Sequence, residues 1–180
     1  MKRIFMLMVV MLLLPLSIFA VVVEDVNIPD NYVLNGKELV LNGYGLRKKF
    51  FIKVYIGALY LEKKSQSPAE IYDMDSKVIK MHFLYKKVDS SKMKEAFEDG
   101  FKNNGVSNME RFKQFIDVFN FDVMKGDEID LVLSGDTVMV VKNSSKLAEF
   151  TDKELVNAVM KVYIGEKPAD SGLKDGMLSK

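Results

Sequence analysis

The chain has no cysteine and a single histidine, His82. Without cysteine there is no disulfide framework, and no residue to carry a lipoprotein anchor. Zinc sites built from histidine and cysteine are out. So is Cys–His catalysis, and Ser–His–Asp chemistry would have to use His82 alone. No glycine-rich phosphate loop or dinucleotide fingerprint occurs. An excess of charge of one sign is also lacking. The 26 basic residues face 25 acidic ones, so there is no electrostatic footprint for nucleic acid and none is expected as a partner. Internal repeats, low-complexity segments and an internal linker are absent, and stability must come from packing.

Packing material is plentiful. Twelve Phe, seven Tyr and many Met and Val are present, and each large side chain fully buried contributes roughly 1.5–3 kcal/mol. The most telling stretch is Phe50 to Leu61. Phe50, Ile52, Val54, Ile56, Ala58 and Tyr60 alternate on one face, and Phe51, Lys53, Tyr55, Gly57, Leu59 and Leu61 on the other. That composition predicts a long central β-strand covered on both faces. Gly43 and Gly45 before it read as turn residues.

Residues 1–20 read as a targeting segment. Lys2 and Arg3 precede an apolar run from Ile4 to Ala20, the pattern of a secretory signal peptide. Val21 to Val23 extend that run to about the length that spans a bilayer, so an uncleaved anchor is the alternative. Any membrane contact is expected through this segment alone. The domain is placed at residues 24–180. Loss of Lys2 and Arg3 leaves 24 basic against 25 acidic residues, a net charge of −1. Export to the periplasm or beyond is the expected destination.

Along the chain, Val23 to Asn31 reads as an extended lead-in. Tyr32–Leu34 and Lys37–Asn42 are predicted strands joined at Asn35-Gly36, a strong hairpin pair, with a second tight turn at Asn42 to Gly45. Pro68 to Tyr72 suits a short helical turn, and Lys77 to Tyr85 another strand. Asp89-Ser90-Ser91 caps a helix with Met93, Ala96, Phe97, Gly100 and Phe101 on one stripe. Ser107 with Glu110 reads as a capping box opening a second helix. Asp127–Leu133 and Thr137–Lys142 form a hairpin, followed by a strand at Lys146 to Phe150. Thr151 with Glu154 is read as the box of a helix that stops at Gly165, and a last helix starts near Asp170. Strands, two helices, strands, two helices describe an α+β chain with a largely antiparallel sheet and helices on one face.

Few residues here bear chemistry. Arg47 leads into the apolar strand, where its planar donors can bind a carboxylate or polarise a carbonyl in a pocket between sheet and helices; a solvated basic strand end is the plainer reading. Tyr55 can offer a phenol to the same pocket, or sit in the core with its hydroxyl at the edge. His82 reads as a strand residue. Asp127, Glu128 and Asp130 suit either a hard-cation site or a solvated strand end. No metal is expected.

The stretch Gly43-Tyr44-Gly45-Leu46-Arg47 through Glu62, the segment Val162-Tyr163-Ile164-Gly165-Glu166-Lys167-Pro168, and the close Leu173-Lys174-Asp175-Gly176-Met177-Leu178 resemble the chalcone isomerase-like superfamily, with greatest similarity to its exported bacterial branch. The resemblance covers nearly everything after residue 20. It implies an open-faced β-sandwich, a large antiparallel sheet with a layer of helices on one face and a cleft between them. In the plant enzymes of that superfamily an arginine, a threonine and a tyrosine serve an intramolecular cyclisation of chalcones. The arginine falls on Arg47. The threonine position falls on Tyr55 and the tyrosine position near Ser90, with Tyr85 the nearest tyrosine, so two of the three depart from the pattern. Other members bind fatty acids without catalysis, and there Arg47 and Tyr55 would grip the carboxylate. Fungal relatives bind haem, for which His82 is the sole imidazole; otherwise no cofactor is implied. Three functions follow as expectations: binding of an apolar carboxylate such as a fatty acid, an intramolecular lyase or isomerase acting on an enone, or a structural or partner-binding envelope protein whose cleft its own side chains fill.

Overall fold

A computed structural model of the chain describes residues 20–180; the targeting segment, apart from Ala20, lies outside the described residues. Its framework is one large antiparallel sheet with helices on one side and two small two-stranded sheets beside it. The elements in order are β1 (Ala20–Val23), β2 (Val26–Pro29), β3 (Asn31–Leu34), β4 (Lys37–Lys49), β5 (Ile52–Leu61), α1 (Pro68–Asp73), β6 (Ser76–Phe83), β7 (Lys87–Val88) and α2 (Ser90–Asn103). A 3₁₀ turn (Met109–Phe112) leads into α3 (Lys113–Asp117). Then come β8 (Val123–Met124), β9 (Glu128–Ser134), β10 (Thr137–Lys142), β11 (Ser145–Thr151), α4 (Lys153–Ile164) and α5 (Ser171–Met177). Seven strands form the main sheet in the order β11-β10-β9-β6-β5-β4-β3, antiparallel throughout. The α+β expectation, with a large antiparallel sheet and helices on one face, holds.

The two faces of β5 divide the core as its alternation requires. Tyr55, Leu59 and Leu61 join the helix-side core, with Phe97, Phe101, Phe112, Phe115 and Phe119 at its aromatic centre. Phe97 stacks on Phe119 at 4.5 Å between ring centroids and meets Phe115 edge-on at 5.2 Å. Ile56, Ala58 and Tyr60 belong to a second, smaller core on the other face, with Ile28, Leu39 and Leu41. The β1–β2 hairpin covers part of that face, and the Tyr60 hydroxyl donates to the Pro29 carbonyl at 2.9 Å.

Four local readings change. Residues 42–45 are not a turn. β4 runs straight through them for 13 residues, with Asn42 as an extra residue between the pairs Leu41↔Tyr60 and Gly43↔Leu59. The glycines answer to packing: a Cβ on Gly45 would lie 2.8 Å from the Leu173 Cα and carbonyl oxygen. Helix α5 therefore lies directly on the backbone of β4. The true turn is at Phe50-Phe51, both exposed. Second, Val21 to Val23 form β1, closed onto β2 by Glu24 and Asp25, both at positive φ. Third, Ser107 caps nothing. The segment tightens through one 3₁₀ turn preceded by Asn108. The spacing of Phe112, Phe115 and Phe119 serves either geometry, so packing decided. Fourth, Thr151 ends β11, and Asp152 caps α4, its Oδ1 accepting from the Glu154 and Leu155 amides at 2.9 and 3.3 Å.

Candidate functional site

A second irregularity creates the site. Lys48 pairs with Lys53, yet Arg47 pairs with Tyr55, so Val54 is the extra residue of a β-bulge. Regular pairing would set Arg47 opposite Val54. The bulge sets it opposite Tyr55, and directly opposed residues share a face. Arg47 and Tyr55 thereby both line a cavity of about 570 Å³ between the ends of β4 and β5 and helices α2 and α4. Val54, Met81, Met93, Phe97 and Val162 supply apolar wall. The exposed Lys49, Lys87, Lys92, Glu95 and Asp99 stand among its lining residues. The cleft is open, not filled by its own side chains. Its volume is in the range of small-molecule sites, as is its mostly apolar lining with few polar groups.

Arg47 is held but not used up. Its Nη1 donates to the Lys48 carbonyl at 2.8 Å and stands 3.5 Å from Asp170 Oδ2. Asp170 is the N-cap of α5. Its carboxylate accepts the Leu173 amide at 2.9 Å and the Lys48 amide at 3.0 Å. Burial opposes its ionisation, but these two amides and Arg47 outweigh that and hold its pKa below the usual carboxylate value. The Arg47–Asp170 contact is long for an ion pair, and a guanidinium has five donors.

Tyr55 is 8% exposed and stacks tilted on Phe83 at 5.2 Å. Burial pushes its phenol up to about 12, with the Arg47 charge pulling the other way. Tyr163 from α4 is a site residue missed in the sequence. It is 2% exposed, lines the same cavity, and its hydroxyl donates to Met81 Sδ at 3.3 Å. Burial holds its pKa well above the ordinary value. Two protonated phenols beside one guanidinium are an arrangement of donors, suited to an anionic or carbonyl oxygen. The sequence signal for Tyr163 was its place beside Val162 in the segment that carries the family resemblance.

The remaining candidates stand apart from this donor cluster. Ser90 opens α2, its amide bonded to Asp122 Oδ1 at 3.0 Å; Tyr85 stands at the cavity, 42% exposed. His82 pairs across the sheet with Ile56 and so lies on the face away from the cavity. Its Nδ1 is 3.2 Å from Glu128 Oε1, beside Lys80, which reaches Glu128 at 2.5 Å and Asp130 at 3.2 Å. An imidazole there cannot ligate iron in the cavity. Asp127 points to Lys142 at 2.9 Å and to the Met124 amide and Asn143. Among the described residues no cluster of histidine, aspartate and glutamate is arranged to hold a metal ion.

A bulged strand pair aiming an arginine into a cleft beneath a helix layer defines an open-faced α+β sandwich with an internal cavity. The family model described as chalcone isomerase-like matches residues 20–179, and the chain belongs to that family. Among solved structures it is similar to a fatty-acid binding protein of Arabidopsis thaliana, with a TM-score of 0.73 at 19% identity over 89% of this chain and 96% of that one. At that identity the likeness establishes the fold. No curated protein matches the chain in sequence.

Proposed function

We propose that this protein is a non-catalytic carrier or sensor of an apolar carboxylate of the fatty-acid class, bound in the cavity with its head group on Arg47 and Tyr55. One observation carries the reading: an open, mainly apolar cavity of about 570 Å³ in which a half-buried guanidinium stands beside two buried, protonated phenols. A carboxylate accepts from Arg47 and Tyr55. Charge-assisted hydrogen bonds of this kind are about twice as strong as neutral ones, and the chain gains roughly 0.8 kcal/mol per buried CH₂. The fatty-acid binding protein of the same fold supports the ligand class. Residues 1–20, with Lys2 and Arg3 ahead of an apolar run, support export to the periplasm or beyond, as in the exported bacterial branch.

Native mass spectrometry of the protein purified from cells, followed by solvent extraction, tests this. A co-purifying fatty acid supports it. An empty protein that also fails to take up added fatty acid rejects it. The second reading, an intramolecular lyase or isomerase with Arg47 polarising an enone carbonyl and Tyr55 as acid, draws on the same pair of donors. A phenol held near 12 is a poor proton source at neutral pH, which favours binding. Turnover of an enone panel, abolished by Tyr55→Phe, would reverse that order.

A further inference from the structure

The tip of the β4–β5 hairpin is built against the interest of folding. Phe51 is fully exposed at 101% and Phe50 at 87%, followed by Ile52 at 43%. Three consecutive large apolar residues in water are unusual, unlike single exposed ones. The backbone adds a second anomaly. Phe50 sits at φ 56°, a left-handed conformation that glycine and asparagine adopt freely and that is an outlier for a bulky residue. A hairpin that needed only to turn would carry Asn-Gly, as Asn35-Gly36 does elsewhere in this chain. Nothing in the fold gains from phenylalanine at either position.

The surroundings say what covers the tip. Lys48 and Lys49 flank it on β4 and Lys53 on β5. Tyr85, 42% exposed, and Lys86 lie beyond the end of β6 at the same end of the sheet, where the Leu84 and Tyr85 amides bond the Val54 carbonyl at 2.9 and 3.1 Å. The Lys125 amide in turn bonds the Lys86 carbonyl at 3.3 Å. Lys53 is paired with Glu24 and Lys87 with Asp89 and Asp122. Lys48, Lys49, Lys86 and Lys125 make no ion pair among the described residues. Aromatic and aliphatic side chains projecting beside lysines, four of which make no ion pair among the described residues, are the composition of an interfacial membrane anchor: the rings enter the headgroup–acyl boundary and the ammonium groups meet anionic lipid heads.

We propose that the Phe50-Phe51 tip docks the protein on the surface of an anionic lipid bilayer. Lys49, Ile52, Val54 and Tyr85 belong both to this end of the molecule and to the lining of the cavity, so docking places the cavity against the membrane. The inference goes beyond the ligand reading and stands without it, because docking can be measured with vesicles free of fatty acid. It also adds a membrane contact to the one expected through the N-terminal segment.

The chain lacks tryptophan, so Phe51→Trp in the full chain creates a single reporter at a position whose side chain makes no packing contribution. The control is Leu147→Trp on the edge strand β11, also exposed, at 42%. The probe is vesicles of phosphatidylcholine with phosphatidylglycerol, with and without acyl-chain bromination. The expected result is a blue-shifted emission quenched by brominated lipid for the tip reporter and neither change for the control. Adding Lys48→Gln and Lys49→Gln is expected to weaken the tip signal's lipid dependence roughly thirtyfold, about tenfold per 1.4 kcal/mol at about 1 kcal/mol per lysine. Because the reporter is local, attachment through residues 1–20 does not mimic it. An unshifted tip, an equal shift in the control, or equal response to purely phosphatidylcholine vesicles overturns the proposal.

Discussion

Replacing Arg47 by alanine separates binding from folding. On the folding side, Arg47 loses a 2.8 Å hydrogen bond to an exposed carbonyl and a 3.5 Å contact with Asp170, its side chain being 22% exposed. Partly solvated pairs of this kind contribute about 1 kcal/mol or less. Asp170 keeps its two backbone amides, so α5 keeps its cap. For a domain of this size the melting temperature should fall by only about 2–4 °C. On the binding side, the variant removes the one cation aimed at the ligand's head group. A hydrogen bond to a charged group contributes about 1.5–3 kcal/mol, which corresponds to roughly a 10- to 150-fold rise in Kd for a long-chain fatty acid. The methyl ester of the same acid supplies the internal control. Wild-type protein should prefer acid to ester by about that factor, and Arg47→Ala should bind both equally. Titration calorimetry with acid and ester on both proteins, alongside thermal melts, gives all four affinities. If folded Arg47→Ala retains the wild-type preference for the acid, Arg47 does not hold the head group and the placement of the site is wrong.

Gly45→Ala sets a Cβ 2.8 Å from the Leu173 backbone, which must push α5 off the sheet; a loss of about 1–3 kcal/mol is expected, and an unchanged urea midpoint would contradict it. Alkaline stability should report the buried phenols. Burial raises the pKa of Tyr55 to about 12 and also raises those of Tyr32 and Tyr60. The unfolded chain releases these protons near 10 and the folded chain does not, so stability is intact below pH 10 and falls as pH rises towards 12. Tyr55→Phe should make that fall shallower by up to about 1.4 kcal/mol per pH unit, read by denaturant unfolding across the range; an unchanged slope counts against a buried, protonated Tyr55. Asp127 behaves oppositely. Burial works against its charge, yet the Met124 amide, Asn143 and Lys142 hold its pKa down at about 2. Its contribution is present above the ordinary value near 3.8 and lost as pH falls towards 2. Asp127→Asn should therefore cost about 1–2 kcal/mol at neutral pH and nearly nothing at pH 2, and an equal cost at both would refute the assignment.

The sequence by itself determined the elements and the sides they show. From Tyr55 to Leu61 the strand alternates between two apolar sets, and each set reached a different core, whereas Phe50, Phe51 and Ile52 lie exposed at the hairpin end and Val54, the bulged residue, packs on the helix side. Helices α2 and α4 followed their stripes, because a period of 3.6 cannot be satisfied by a sheet. Arg47 and Tyr55 were legible as chemistry on an otherwise apolar background, yet their side-by-side placement was not. Regular pairing separates them, and only the bulge at Val54 brings them to one face. A bulge is set by the whole strand pair, not by the residue that bulges. Gly43 and Gly45 read locally as turn residues, because a glycine that makes room for α5 is the same letter as one that bends a chain. Tyr163 was hidden for a similar reason: on the buried side of a helix, periodicity cannot distinguish a core tyrosine from one that lines a cavity. Contacts between segments more than a hundred residues apart decided the roles of Gly43, Gly45 and Tyr163, and no local pattern encodes them.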